Sequence, residues 1–138
     1  MEISAEVYQR IVSAKLFMDQ HFEEPMDLDR ISRHSCISRF HFHRLFTRIY
    51  RKTPHRYLTQ KRMDNAKQLL ARDDLSISEI CNTVGFESIG SFSILFKREI
   101  GFAPQYYRNL AYAKKQLAKK QPKSFIPHCF IENYQLDR

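Results

Sequence analysis

The pattern of Ser38 to Tyr57, SRFHFHRLFTRIYRKTPHRY, recurs fifty positions later in Ser88 to Tyr107, SIGSFSILFKREIGFAPQYY. Phe42, Leu45, Phe46, Pro54 and Tyr57 return as Phe92, Leu95, Phe96, Pro104 and Tyr107. Upstream the offset is forty-nine, because the second copy has one more residue in its turn: Leu28, Ile31 and Ile37 correspond to Ile77, Ile80 and Phe86. A chain that carries one unit twice is constrained to fold as two like units. Each copy reads as a pair of short helices separated by a tight turn. This predicts two helix-turn-helix units, each offering one helix to a DNA groove.

Helical periodicity runs through most of the chain. Val7, Ile11, Ala14 and Met18 lie on one face of a first amphipathic helix expected over Ser4 to Phe22, ended by Pro25. Asp27 is placed to cap a short helix from Leu28 to about Ser35, and Cys36 and Ile37 form the turn after it. Ser38 caps the next helix, where Phe42, Leu45, Phe46 and Ile49 share the inward face and Phe40, His43, Arg44 and Thr47 the outward one. Thr53 and Pro54 open a long helix to about Arg72, roughly 27 Å in length, which serves as a spacer. Ser76 and Glu79 form a capping box before the helix of Ile80 and Val84, and Gly85 suits a left-handed stop. Ser88 caps the second outward-facing helix, with Phe92, Leu95 and Phe96 inward and Gly90, Ser93, Ile94 and Lys97 outward. Gly101 ends it, and Pro104 opens a last helix to roughly Lys120. The expected organisation is therefore all-α: an N-terminal helix-turn-helix subdomain over 1–56, a linker helix over 57–72, a C-terminal one over 73–120 and an irregular tail over 121–138.

Charge points to the same class of partner. The 138 residues leave room for one domain or two very small ones, and the formal net charge of +8 favours a polyanion. Arg39, Arg44, Arg48, Arg51, Lys52, Arg56, Lys61 and Arg62 lie in a span without Asp or Glu. The strongest electrostatic footprint is expected there, since each neutralised phosphate releases counterions and steepens the salt dependence. Hydrophobic content of 43% suffices for a packed core. Nothing resembles a signal peptide, and no apolar run approaches the ~20 residues of a membrane helix. Cys36, Cys81 and Cys129 offer neither a disulfide framework nor a zinc motif, so a reducing cytoplasm is expected. Cys36 and Cys81 read as small packing residues.

The segment Leu28 to Arg108, above all RMDNAKQLL followed by ISEICNTVGFESIGSFSILFKREIGFAPQYYR, resembles the DNA-binding domain of the AraC/XylS transcription regulators. The signature falls on Gly85, Phe86, Phe92, Phe96, Lys97, Gly101, Pro104, Tyr107 and Arg108, and with the first helix the resemblance covers about Val7 to Leu110. It implies two recognition helices entering successive major grooves on one face of the DNA. Such helices must lie about one DNA turn, roughly 34 Å, apart. One chain would then read a directional site as a monomer. The resemblance also implies a bacterial regulator, an activator that contacts RNA polymerase, with no cofactor. The length leaves no room for a separate sensor domain, as in the small MarA/SoxS-like members.

Base reading is expected first of Arg44, whose guanidinium fork matches guanine O6 and N7, then of His43, and of Phe40 through a thymine methyl. These match the family's base-reading positions in the first recognition helix; the second supplies Ile89, Gly90, Ser91, Ser93 and Ile94. Ile94 stands where family members often carry arginine, so the second unit is expected to lean on phosphate contacts. Phosphate binding is assigned to Arg39, Arg48, Arg51, Lys52, Arg62, Ser88, Lys97 and Arg98. Arg51 replaces the glycine usual after the first recognition helix.

Other chemistries are poorly served. His41 and His43 point to different helix faces, which argues against metal, and His128 beside Cys129 lacks an orienting acid, which argues against an enzyme. An alternative is a nucleic-acid-binding interaction module whose tail, Phe125 to Tyr134, docks a partner or a separate sensor protein. A thiol-based switch would make Cys129 indispensable.

Overall fold

The helices begin where the sequence supplies a side-chain cap. Ser4 Oγ accepts from the Val7 N–H at 3.2 Å, Asp27 Oδ1 from Arg30 at 2.8 Å and Ser38 Oγ from His41 at 3.4 Å. Thr53 Oγ1 accepts from the Arg56 N–H at 3.1 Å and Ser88 Oγ from Ser91 at 3.0 Å. Ser76 and Glu79 exchange both bonds of a capping box at 3.0 Å. Each cap satisfies a backbone donor that a helix start leaves without an intrahelical acceptor. The computed structural model describes residues 2–72 and 74–120. It is helical throughout: α1 is Ala5–His21, α2 Leu28–Arg33, α3 Arg39–Tyr50, α4 Pro54–Arg72, α5 Ile77–Thr83, α6 Ile89–Ile100 and α7 Pro104–Lys120. No strand occurs among the described residues. The segment 121–138, expected from sequence to form an irregular tail, lies outside them. The second helix stops at Arg33, short of the expected Ser35, because Ser35 is drawn into the turn, where its buried hydroxyl donates to Ser32 O at 2.6 Å.

Two cores result, and they repeat each other's geometry. The first gathers Ile11, Ala14 and Met18 of α1, Ile31 of α2, Phe42, Leu45 and Phe46 of α3 and Leu58 of α4. The second gathers Met63, Ala66, Leu69 and Leu70 of α4, Ile80, Cys81 and Val84 around α5, and Phe92 and Phe96 of α6. Phe42 and Phe46 lie 5.6 Å apart, and Phe46 meets Tyr57 edge-on at 5.7 Å; Phe92, Phe96 and Tyr107 repeat this at 5.7 Å and 5.6 Å. The long helix is more than the spacer predicted from sequence. Its first turns complete the first core, and its remainder serves the second core as α1 serves the first.

A second correspondence is invisible at the fifty-residue offset. Arg62 on α4 donates from Nε to Phe22 O at 2.8 Å and from Nη2 to Glu24 O at 2.9 Å, tying down the loop after α1. Arg108 on α7 donates to Leu70 O at 3.1 Å and Leu75 O at 2.6 Å, tying down the loop after α4. The two arginines do the same work for their units. Arg62 also lies over the Phe86 ring at 5.6 Å, so it joins the units to each other. An ion pair between Arg56 of α4 and Glu99 of α6 makes a further join.

Among the described residues four take positive φ: Cys36 at 56° and Arg51 at 63° in the first unit, Gly85 at 99° and Gly101 at 96° in the second. Cys36 occupies the turn position that Gly85 fills, and Arg51 the helix stop that Gly101 fills. Cys36 is exposed, which corrects its reading as a packing residue: it is placed by backbone geometry, while Cys81 is buried as expected and burial raises its thiol pKa. The left-handed conformation costs a residue with a Cβ about 1 to 2 kcal/mol. Part of this returns as unfolded-state entropy when glycine is introduced. Arg51→Gly is therefore expected to raise stability by about 0.5 to 1 kcal/mol, seen as a higher denaturant midpoint at unchanged slope.

Tyr57 also closes the first unit through a hydrogen bond from its hydroxyl to Asp19 Oδ1 at 2.5 Å. Burial raises the Asp19 pKa, but hydrogen bonds from Tyr57 and Lys15 and the charge of Lys61 outweigh it, and the net direction is down. A carboxylate so depressed adds stability above its unfolded-state pKa, and loses it as pH falls through the folded value. Asp19→Asn should accordingly shrink the stability lost between neutral pH and acid below pH 4, read from paired denaturation curves.

Candidate nucleic-acid interface

The outward face of α3 is apolar and basic together. Phe40 is 75% exposed, an unusual state for a phenylalanine, and Arg39 lies over its ring at 5.3 Å. His43, Arg44 and Arg48 are exposed beside it. Arg44 Nη2 lies 3.3 Å from His41 Nδ1, one turn back on the helix. On α6 the corresponding face carries Gly90, Ser91 and Ile94, with Ile94 71% exposed, and half-buried Ser93 at its edge. Lys97 and Arg98 are exposed near the far end of the same helix.

Tertiary structure redistributes the basic run. Arg39 Nη1 contacts Asp29 at 3.2 Å, Lys61 contacts Asp19 at 3.4 Å, and Arg56 is held by Glu99. Lys52 Nζ donates to Gln60 Oε1 at 2.6 Å. A span without acids in sequence is thus met by acids folded in from α1, α2 and α6. Arg44, Arg48, Arg51, Lys97 and Arg98 are exposed and have no carboxylate partner among the described residues. The assignment of Arg62 to phosphate binding is corrected. Its guanidinium is turned inward onto carbonyl oxygens and an aromatic ring, where burial lowers its pKa.

Sequence reasoning did not single out Arg30 and Arg33 of α2. They line a groove shared with Gly85, Phe86, Ser88 and Ser91, so the second helix of unit one faces the start of α6. Arg30 is pinned within it by Glu24 at 2.6 Å and Pro25 O at 2.6 Å, and Arg33 is exposed. A helical wheel marks Arg33 as outward, but only the folded chain sets it opposite the second unit.

With this arrangement established, likeness to known proteins can be placed on it. A profile of the family described as a helix-turn-helix domain matches residues 31–110. The chain belongs to the AraC/XylS family of helix-turn-helix proteins. The match takes in α3 to α6 entire and the opening turns of α7. Among curated relatives, the HTH-type transcriptional regulator ArgR of Pseudomonas aeruginosa is 31% identical over 102 residues, 74% of this chain and 31% of that protein. AlkR of Acinetobacter baylyi is 34% identical over 106 residues, 77% of this chain and 35% of that protein. The chain spans about a third of the length of these relatives. Among solved structures, an AraC-type transcriptional regulator from Chromobacterium violaceum is 28% identical with a TM-score of 0.68, covering 78% of this chain and 96% of that one. The DNA-binding domain of AdpA, solved with a target DNA, shares the fold at a TM-score of 0.69 and 24% identity, covering 83% of this chain and 97% of that one. No helix among the described residues of the AraC-type domain is long and apolar enough to cross a membrane.

Proposed function

We propose that the chain is a transcription regulator that binds double-stranded DNA at a directional site, α3 and α6 each entering a major groove. The observation that carries this is the exposed α3 face, where an aromatic ring and a guanidinium without a carboxylate partner among the described residues stand on a helix whose other side is buried in the core. A phenylalanine 75% exposed is explained when a thymine methyl covers it, and Arg44 is placed one turn on to fork onto guanine. His43 lies between them. Arg48 and Arg51, with Lys52, are assigned to the flanking phosphates of the first groove; Arg39, paired with Asp29, is not among them. Ser88, Lys97 and Arg98 take those of the second, with Ser91, Ser93 and Ile94 towards the bases. The two units are alike in fold and unlike in outward residues, so one chain can read an asymmetric site without a dimer axis. Family membership supports a reading in which the bound chain activates through contact with RNA polymerase beside its site.

The test is selection of bound DNA from a random library at two salt concentrations. Two blocks about ten base pairs apart support the reading, and no enrichment at either salt overturns it. Arg44→Ala should cost about 1 to 3 kcal/mol at a single base position and relax specificity there, measured by competition with each base variant of the selected site. Equal weakening across all sequences would reduce Arg44 to a phosphate contact.

A further inference from the structure

The outward face of α6 has no long polar side chain at its centre. Gly90, Ser93, Ile94 and Lys97 follow one another along it, in the places that Phe40, His43, Arg44 and Thr47 occupy on α3. Ile94 therefore stands where Arg44 stands, and it is 71% exposed. Nothing in the core asks for an isoleucine at that position. The fold does not ask for Gly90 either. Its φ is not positive, and a Cβ there would meet only Ser88 Oγ at 3.7 Å, an ordinary contact. Glycine inside a helix weakens it, so the missing side chain is left without a reason inside the protein. Both residues gain a reason if another surface comes close to this face.

Isoleucine cannot donate or accept a hydrogen bond. In a major groove the apolar feature on a base-pair edge is the C5 methyl of thymine. Gly90, one turn before Ile94, lets the backbone settle deeper, and Lys97 and Arg98 lie towards the other end to hold phosphates. Building on the DNA-binding role argued above, we propose that α6 reads its groove by apolar contact, with Ile94 packed on a thymine methyl. The site would then be asymmetric in chemistry: a guanine fork in the block under α3, a methyl contact in the block under α6.

Replacing thymine by deoxyuridine removes that methyl and leaves pairing and hydrogen-bonding groups intact. In the selected site, each thymine of the α6 block is replaced in turn, and affinity is measured for the wild-type chain and for Ile94→Ala. We expect about a three- to fivefold loss at one position for the wild type, the worth of one buried methyl. Ile94→Ala should bind the thymine and uracil sites equally. Its fold is checked by helical circular dichroism, which a substitution at an exposed position should leave unchanged. The inference is overturned by an α6 block without a preferred thymine, by indifference of the wild type to uracil, or by an unchanged uracil penalty in Ile94→Ala. Those results leave DNA reading by α3 standing if Arg44→Ala still relaxes its own base position. Absence of any selected motif would instead remove the DNA-reading role and this inference with it.

Discussion

Phe96→Ala is expected to cost about 3 to 5 kcal/mol, a large part of the stability of a domain this size. Phe96 is fully buried, meets Phe92 at 5.7 Å and Tyr107 at 5.6 Å, and so binds α6 to α7. Truncation removes most of the ring's buried apolar surface and leaves a cavity, because the neighbouring rings are anchored on separate helices and cannot collapse together. Phe46→Ala should cost a similar amount, since its ring is also fully buried and meets the corresponding rings, Phe42 and Tyr57, at matching distances. Urea denaturation followed by circular dichroism checks both. A loss below about 1 kcal/mol for either would contradict the packing described. Because α4 contributes to both cores, unfolding of one unit should carry the other with it; two separated transitions in Phe96→Ala would show the units to be independent.

Gly85→Ala comes next, with an expected loss of about 2 to 4 kcal/mol. Two costs add there. The residue sits at φ 99°, outside what an L side chain adopts comfortably, and a Cβ would lie 3.0 Å from Glu23 O and 3.0 Å from Arg62 Nε. Glu23 O is backbone in the loop that Arg62 holds, so relief by movement would disturb the bonds from Arg62 to Phe22 and Glu24. Gly101→Ala separates the two costs. Its φ of 96° is nearly the same, but a Cβ there meets nothing within 4 Å. Its loss should be about 1 to 2 kcal/mol, the backbone share alone. Equal losses at the two glycines would mean that the contact between the α1–α2 loop and the second unit contributes nothing to stability.

The caps, the helix stops and the identities of the core aromatics were legible because each is local: a hydroxyl three residues before a backbone donor, a proline in a first turn, apolar side chains at helical spacing. The candidate interface was legible to the same degree. Phe40, His43, Arg44 and Ile94 were assigned outward by period, and three of these side chains are exposed on α3 with the fourth on α6. What failed was any inference from nearness in sequence to freedom in space. Arg62 looked like another member of a basic run, and Cys36 looked like a small core residue. The first is turned inward by carbonyls some forty residues away, and the second is held by a turn that demands a positive φ.

The sequence by itself determined two like helical units, their inward faces and the two outward helices that differ in chemistry, because repetition and period need no knowledge of which helix packs on which. Only the tertiary structure decided which basic side chains keep their charge for a partner. Asp19, Asp29 and Glu99 reach Lys61, Arg39 and Arg56 across helices, and Coulomb attraction acts over distance in space, not along the chain. The same holds for the role of α4 and for the paired work of Arg62 and Arg108. Each depends on where a loop carbonyl lies after folding, and no residue spacing records that.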